Sequence, residues 1–271
     1  MLNYICNTCG HQFAESEEPP HRCPICEDDR QFVNPLGQSW TTLDELAQEH
    51  HNILRPLETG LTGIGTEPRF AIGQRALLVQ GSLGNVLWDC VSLIDDATIE
   101  AVEALGGISS LAMSHPHLFG SMVEWSRAFG DAPIYLHADH KPWVQRSDPV
   151  IEFWEGDTLE LKEGLTLHRC GGHFEGSTVL LWPDGADGKG VLLTGDTMYV
   201  APDRKYVSFM YSYPNFIPLP APTVDRIVNT VMPLRFDRIY GHFFGLEIEA
   251  DAKRVVQRSA ERYKRAIGFP S

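Results

Sequence analysis

Four of the six cysteines fall within the first 26 residues, as Cys6-x2-Cys9 and Cys23-x2-Cys26. Each pair can form a short knuckle, and knuckles 13 residues apart can bring four thiolates to one tetrahedral centre. Gly10 after the first pair and Pro24 inside the second suit the tight turns this requires. Further along, the fragments MSHPH, GGHFEGS, LLTGDT, YGHFFG and YLHADH each place a His or Asp at the end of an expected strand or in the loop that follows. Any one alone says little, because an isolated His is more often structural and an Asp after a strand more often caps a turn. Together they supply His115, His117, His173, Asp196 and His242. Neutral imidazoles combined with a carboxylate suit zinc or iron. Histidines at i and i+2 can converge on one cation from an irregular loop, and the glycines beside His173 and before Asp196 let the backbone turn there.

These side chains need a scaffold to hold them. A chain of 271 residues has room for one sizeable core and a small appendage. Residues 1–35 hold four prolines (Pro19, Pro20, Pro24 and Pro35) and few large apolar side chains, so a metal must order this segment as a small ribbon. Residues 36–67 read as a linker carrying one helix, with Thr42 as its cap and Glu45 three residues on, as in a capping box. From residue 68 to 271 strands and helices mix. RFAIGQRALLVQ and VLWDC form a hairpin, and a helix runs from an Asp96 cap to a stop at Gly106. The strand ISSLAMS then delivers His115 and His117, and a second helix covers about 120–129. Several strands follow, then the helix PTVDRIVNTVMPL, the strand FDRIYGH and a final amphipathic helix from Glu247 onward.

The knuckles CNTCG and CPIC resemble those of rubredoxin-like and zinc-ribbon domains. Rubredoxins carry a glycine after the last cysteine, where this chain has Glu27, so the resemblance implies structural zinc sooner than a redox iron centre. The order of the His and Asp fragments over residues 68–245 resembles the metallo-β-lactamase superfamily, whose metal motifs run His-x-His-x-Asp-His, Gly-His, Gly-Asp and a late His. That resemblance implies a four-layer αββα sandwich of the α/β (α+β) class. It implies His115, His117 and His173 as the first three ligands, Asp196 as the fourth and His242 as the late one, with Asp89 orienting the ligand loops.

The chain departs from that motif where it has Phe119 and Gly120 in place of Asp and His. Neither can bind a metal, so the expectation is one active-site ion, zinc or iron. Asp196 becomes the carboxylate left to orient a water, with His242 beside it as the second catalytic residue. Asp139 or His140 from YLHADH is one candidate for a replacement ligand, and the other reading of that stretch, with His137, is a hydrogen-bonded turn. The aromatics from Tyr199 to Phe216 either line a pocket near the metal or pack a sheet edge or homodimer surface. Cys90 and Cys170 read as buried apolar residues, and His11 and His21 as solvated bystanders.

The leading functional expectation is therefore a metal-dependent hydrolase of a small-molecule substrate. An iron-dependent oxidoreductase similar to flavodiiron proteins or mononuclear dioxygenases is the second, and a metal-binding protein with a decayed site the third. Lys and Arg number 22 against 36 Asp and Glu, a net charge of −14 that argues against a nucleic-acid partner. No apolar run approaches the ~18 residues of a membrane span, and the opening residues do not read as a secretory signal. A cytoplasmic, reducing location is expected, where paired cysteines bind metal instead of forming disulfides.

Overall fold

The computed structural model describes residues 1–162 and 164–269. Two sheets face each other. The first has seven strands in chain order, His51–Glu58, Leu61–Glu67, Arg75–Val79, Val86–Trp88, Ser110–Ala112, Ile134–His137 and Ile151–Trp154. The second has six, Thr158–Glu160, Thr166–Arg169, Thr178–Trp182, Val191–Leu193, Arg238–Tyr240 and Glu247–Ile248. Helices Asp96–Glu103 and Met122–Ala128 cover the outer face of the first sheet, and helices Ala221–Val231 and Ala252–Ala266 that of the second.

The αββα sandwich explains why the central strands are uninterrupted apolar runs. In RALLV, all buried, Leu77 and Val79 point between the sheets while Ala76 and Leu78 point to the helices. The strand Val191–Leu193 divides likewise, with Leu192 under the helices and Val191 and Leu193 between the sheets. A strand buried on both faces has no polar side to show.

The structure corrects the reading of residues 36–67 as a linker. The helix is present over Leu43–Glu49, with Thr42 and Glu45 forming a reciprocal capping box. Residues 51–67, however, hold the first two strands of the seven-stranded sheet, paired antiparallel with each other, with a register shift between Pro56 and Glu58, and the second paired with Arg75–Val79. Gly63 and Gly65 mask the strand pattern of LTGIGTE. They are required because a Cβ on either would lie 2.7 or 2.6 Å from the Phe244 ring packed across the strand. The ribbon also extends beyond residue 35, since Ile5–Cys6 pairs with Trp40–Thr41. The last helix starts at Ala252 and not at Glu247, because Ile248 is buried and paired with Ile239 and Asp251 takes a left-handed φ of 54°. The cap of the helix over Asp96–Glu103 is Asp95, whose side chain accepts from the Thr98 N–H. Among the described residues, no helix is long and apolar enough to cross a membrane.

The capping box gives a direct check on the short helix. Thr42→Ala should cost about 1 kcal/mol, the usual value of an N-cap, read as a lower urea midpoint with unchanged slope.

Candidate metal centre

Four ligand-bearing loops leave the sandwich at one end. Ser110–Ala112 runs into the loop of His115 and a single turn of 3-10 helix at Pro116–Leu118 that carries His117. His173 sits in the connection between Thr166–Arg169 and Thr178–Trp182, Asp196 follows Val191–Leu193, and His242 follows Arg238–Tyr240. Ligand atoms of His115, His117, His173 and Asp196 all lie within 4.8 Å of one another, and all four residues are buried. The rings of His115, His117 and His173 stand 5.0 to 5.1 Å apart, centroid to centroid.

The surrounding hydrogen bonds select which nitrogen of the His115 and His173 rings faces inward. Asp89 accepts from the Ser114 N–H at 2.7 Å and from the Ser114 hydroxyl at 3.0 Å, and Ser114 Oγ in turn lies 2.8 Å from His115 Nδ1. His115 is thereby left with Nε2 toward the cluster. His173 Nδ1 donates to the Tyr211 carbonyl at 2.8 Å, which likewise turns Nε2 inward, 3.2 Å from His117 Nδ1. Asp196 Oδ2 stands 3.2 Å from His115 Nε2 and 3.7 Å from His173 Nε2, and Asp196 Oδ1 stands 3.2 Å from His242 Nε2.

The donor set fits a cation. His115 Nε2 and Asp196 Oδ1, both turned to the cluster, are buried without an aligned hydrogen-bond partner, a state that costs about 1–3 kcal/mol per group when nothing satisfies it. Burial holds the His117 imidazole well below its ordinary value and that of His173 at about 3, so both are neutral and carry a lone pair at pH 7. Burial pushes the Asp196 carboxyl upward, but His242, His115 and His173 outweigh it and keep the group a carboxylate. Asp89, by contrast, is pushed up to about 8 by burial, against the pull of its two bonds from Ser114.

Phe119 and Gly120, which stand where the resembled motif has Asp and His, point elsewhere. Phe119 is buried in the helix-side core of the first sheet, its ring 5.6 Å from His11 and 5.9 Å from His140. Gly120 has a φ of 51°, and a Cβ there would meet the Val91 carbonyl oxygen at 2.7 Å. His140 does not gather with the cluster of His115, His117, His173 and Asp196. It is buried behind the ligand loop, with Nε2 3.3 Å from the Ser114 carbonyl, and it belongs to the turn in which His137 accepts the Asp139 N–H. Asp139 instead pairs with Arg169 at 2.6 Å.

At the other end of the chain the four cysteines gather as their spacing requires. Their sulfurs also lie within 4.8 Å of one another, with Cys6–Cys26 at 3.5 Å and Cys9–Cys23 at 3.7 Å. These separations are far beyond an S–S bond of ~2.05 Å and suit a tetrahedral thiolate site. Hydrogen bonds from Cys23, Cys26 and Cys9 drive the Cys6 thiol below its ordinary value.

Comparison with known proteins places the whole chain. It is 52% identical over 269 residues to the uncharacterized protein YmaE of Bacillus subtilis (strain 168), covering 98% of this chain and 97% of that one. The chain belongs to the YmaE family, and its fold is that of the metallo-β-lactamases. No family model matches it. Among solved structures, the DIM-1 metallo-β-lactamase aligns with a TM-score of 0.59 at 13% identity, over 80% of this chain and 98% of that one. VMB-1 aligns with a TM-score of 0.58 at 16% identity, over 80% and 98%.

Some members of this site were not singled out in the sequence. Ser114 could have been suspected, as the residue between the strand and His115. Tyr213, whose hydroxyl donates to the Asp196 carbonyl at 3.0 Å, was signalled only as part of the aromatic stretch, and Arg30, whose guanidinium donates to the His173 carbonyl at 3.1 Å, not at all. Of the aromatic stretch, Tyr199 and Tyr213 do gather at the site, 5.8 Å from His242 and 5.6 Å from His173, whereas Phe209 is in the core and Phe216 is exposed. His21 is exposed, but His11 is no solvated bystander. It is buried between Phe13 and Phe119, held neutral by burial at about 4. Cys90 and Cys170 are buried as their sequence context suggests.

Proposed function

We propose that the chain is a metal-dependent hydrolase of a small-molecule substrate, with one cation held by His115, His117, His173 and Asp196 and a structural zinc held by Cys6, Cys9, Cys23 and Cys26. The observation that carries this reading is the convergence of three imidazoles and one carboxylate on a common point, with Phe119 and Gly120 turned away from it. The unsatisfied buried atoms at the cluster argue against a decayed, metal-free site. A bound divalent cation would supply a water of lowered pKa and polarise the bond under attack.

The chain's own residues would do the rest. Asp196 offers one oxygen to the ligand cluster and the other toward His242, so it can accept the proton of an attacking water. His242 is held for that task by Arg75, which donates its backbone N–H to the His242 carbonyl at 2.8 Å and its guanidinium to the Gly241 carbonyl. The thiolate cage needs reduced cysteines, which suits a cytoplasmic location.

Elemental analysis of protein purified without added metal should give two metals per chain. Hydrolysis of ester, thioester, lactone or phosphodiester reporters should vanish on chelation and return with metal. His242→Ala should retain most of the second metal while lowering turnover about 10–100-fold, the usual effect of losing a residue that orients a ligand. A chain that carries one metal only, or hydrolysis that survives complete chelation, would sink the reading.

A further inference from the structure

The ribbon does more than sit at the end of the chain. Immediately after its fourth cysteine, residues Asp28–Arg30 reach the His and Asp cluster of the sandwich. Arg30 forks onto Asp28 through Nε at 2.6 Å and Nη2 at 2.7 Å, and its Nη1 donates to the His173 carbonyl at 3.1 Å. The guanidinium lies 3.8 Å from the centroid of Phe174, the residue after His173. Asp29 takes the Tyr211 hydroxyl on its carboxylate at 3.0 Å, and its carbonyl takes Ser212 Oγ at 2.5 Å and Asn215 Nδ2 at 2.7 Å.

The segment that Asp29 grips is the one that orients two of the cluster's side chains. The Tyr211 carbonyl accepts the His173 Nδ1 proton, and the Tyr213 hydroxyl binds the Asp196 carbonyl. Residues 28–30 therefore hold His173 twice, at its own carbonyl and through the acceptor of its ring, and hold Asp196 once, through Tyr213. The family motifs begin near residue 68, so this support comes from a part of the chain that lies outside them.

We propose that Arg30 is a positioning residue for the His/Asp metal site, and that the ribbon couples its own metal to that site through Asp28–Arg30. This rests on reading the His/Asp cluster as a metal site. The ribbon's small core is made largely of Cys6, Cys9 and Cys23 themselves, with Phe13 and Ile25. Loading the thiolate cage therefore orders the loop that presents Arg30. Coupling of this kind is reciprocal, so an empty cage weakens the second site and an empty second site loosens the cage.

The sign of one mutation separates positioning from charge. Arg30 is a cation held against the backbone of His173, with Nη1 3.1 Å from its carbonyl, and so close to any ion that His173 binds. If it acted by charge alone, Arg30→Ala would bind a second zinc ion more tightly. Positioning requires the opposite.

Zinc affinity should be measured on the full chain by chelator competition, for wild type, Arg30→Ala, Arg30→Lys and Tyr211→Phe. With cobalt in place of zinc, thiolate-to-cobalt charge transfer reports the cage separately from the second ion. Arg30→Ala should weaken the second zinc about 10–100-fold, the range for a residue that orients a ligand, with the cage signal kept. Arg30→Lys retains the charge but cannot reproduce the fork, and should weaken it as well. Tyr211→Phe removes one hydroxyl, tests the Asp29 arm without the risk of misfolding, and should show a smaller loss of the same sign. Second-site affinities within twofold of wild type in all three variants would overturn the proposal, as would tighter binding in Arg30→Ala. If wild type itself binds zinc only in the cage, the metal-site reading fails and this proposal goes with it.

Discussion

His173→Ala is expected to take the chain from two metals to one and to reduce hydrolysis to the buffer rate. His173 presents Nε2 to the cluster, 3.2 Å from His117 Nδ1 and 3.7 Å from Asp196 Oδ2, so it stands within reach of an ion shared with both. Its removal leaves two imidazoles and a carboxylate on loops whose spacing was set by the third ring. Removing a residue that merely orients a ligand weakens metal binding about 10–100-fold, so loss of a ligand itself should exceed ~100-fold. The Cys6, Cys9, Cys23 and Cys26 site should keep its metal, which makes metal content per chain the measurement of choice. A variant that still holds two ions, or that keeps its activity, would remove His173 from the ligand set.

Gly120→Ala should be among the most destabilising single substitutions in the domain, and Gly120→His should be worse without gaining a second metal. The position has a φ of 51°, which costs a non-glycine residue about 1–2 kcal/mol. A Cβ there would also lie 2.7 Å from the Val91 carbonyl oxygen and 3.2 Å from that of Cys90, both backbone atoms that cannot swing aside. Forcing apart a packed neighbour costs a further ~1–3 kcal/mol, so the total loss is about 2–5 kcal/mol. The Gly120 carbonyl also accepts the Gln12 N–H at 3.1 Å, so strain here loosens the ribbon's seat. Chemical denaturation of the metal-loaded chain would measure the loss. An alanine variant of wild-type stability, or a histidine variant that binds a third metal per chain, would show that the backbone can turn this position toward the cluster.

The residues of both candidate metal clusters were legible before any fold was known. Cys6, Cys9, Cys23 and Cys26 announce themselves because a thiolate cage is assembled from two short local turns. His115, His117, His173 and Asp196 do so through the joint order of their fragments along the chain, which resembles that of a known family, and not through any one fragment alone. The hairpin at residues 51–67 was not legible as strand, since Gly63 and Gly65 answer to the ring of Phe244, about 180 residues away in the chain. The same holds for Arg30 and Asp29, which sit in an unremarkable acidic and basic run and acquire a role only by meeting residues 173 and 211–215.

By itself, then, the sequence determined which residue types could hold metal, their order along the chain, and the alternation that builds two sheets covered by helices. Only the tertiary structure decided that position 120 aims its missing Cβ at the Cys90–Val91 backbone, that His140 stands behind the ligand loop, and that the ribbon is seated against two of the ligand loops. Ligand identity is a property of single side chains and short turns. The direction of a Cβ and the partner of a distant guanidinium are set by contacts between segments that become neighbours only when the sandwich closes.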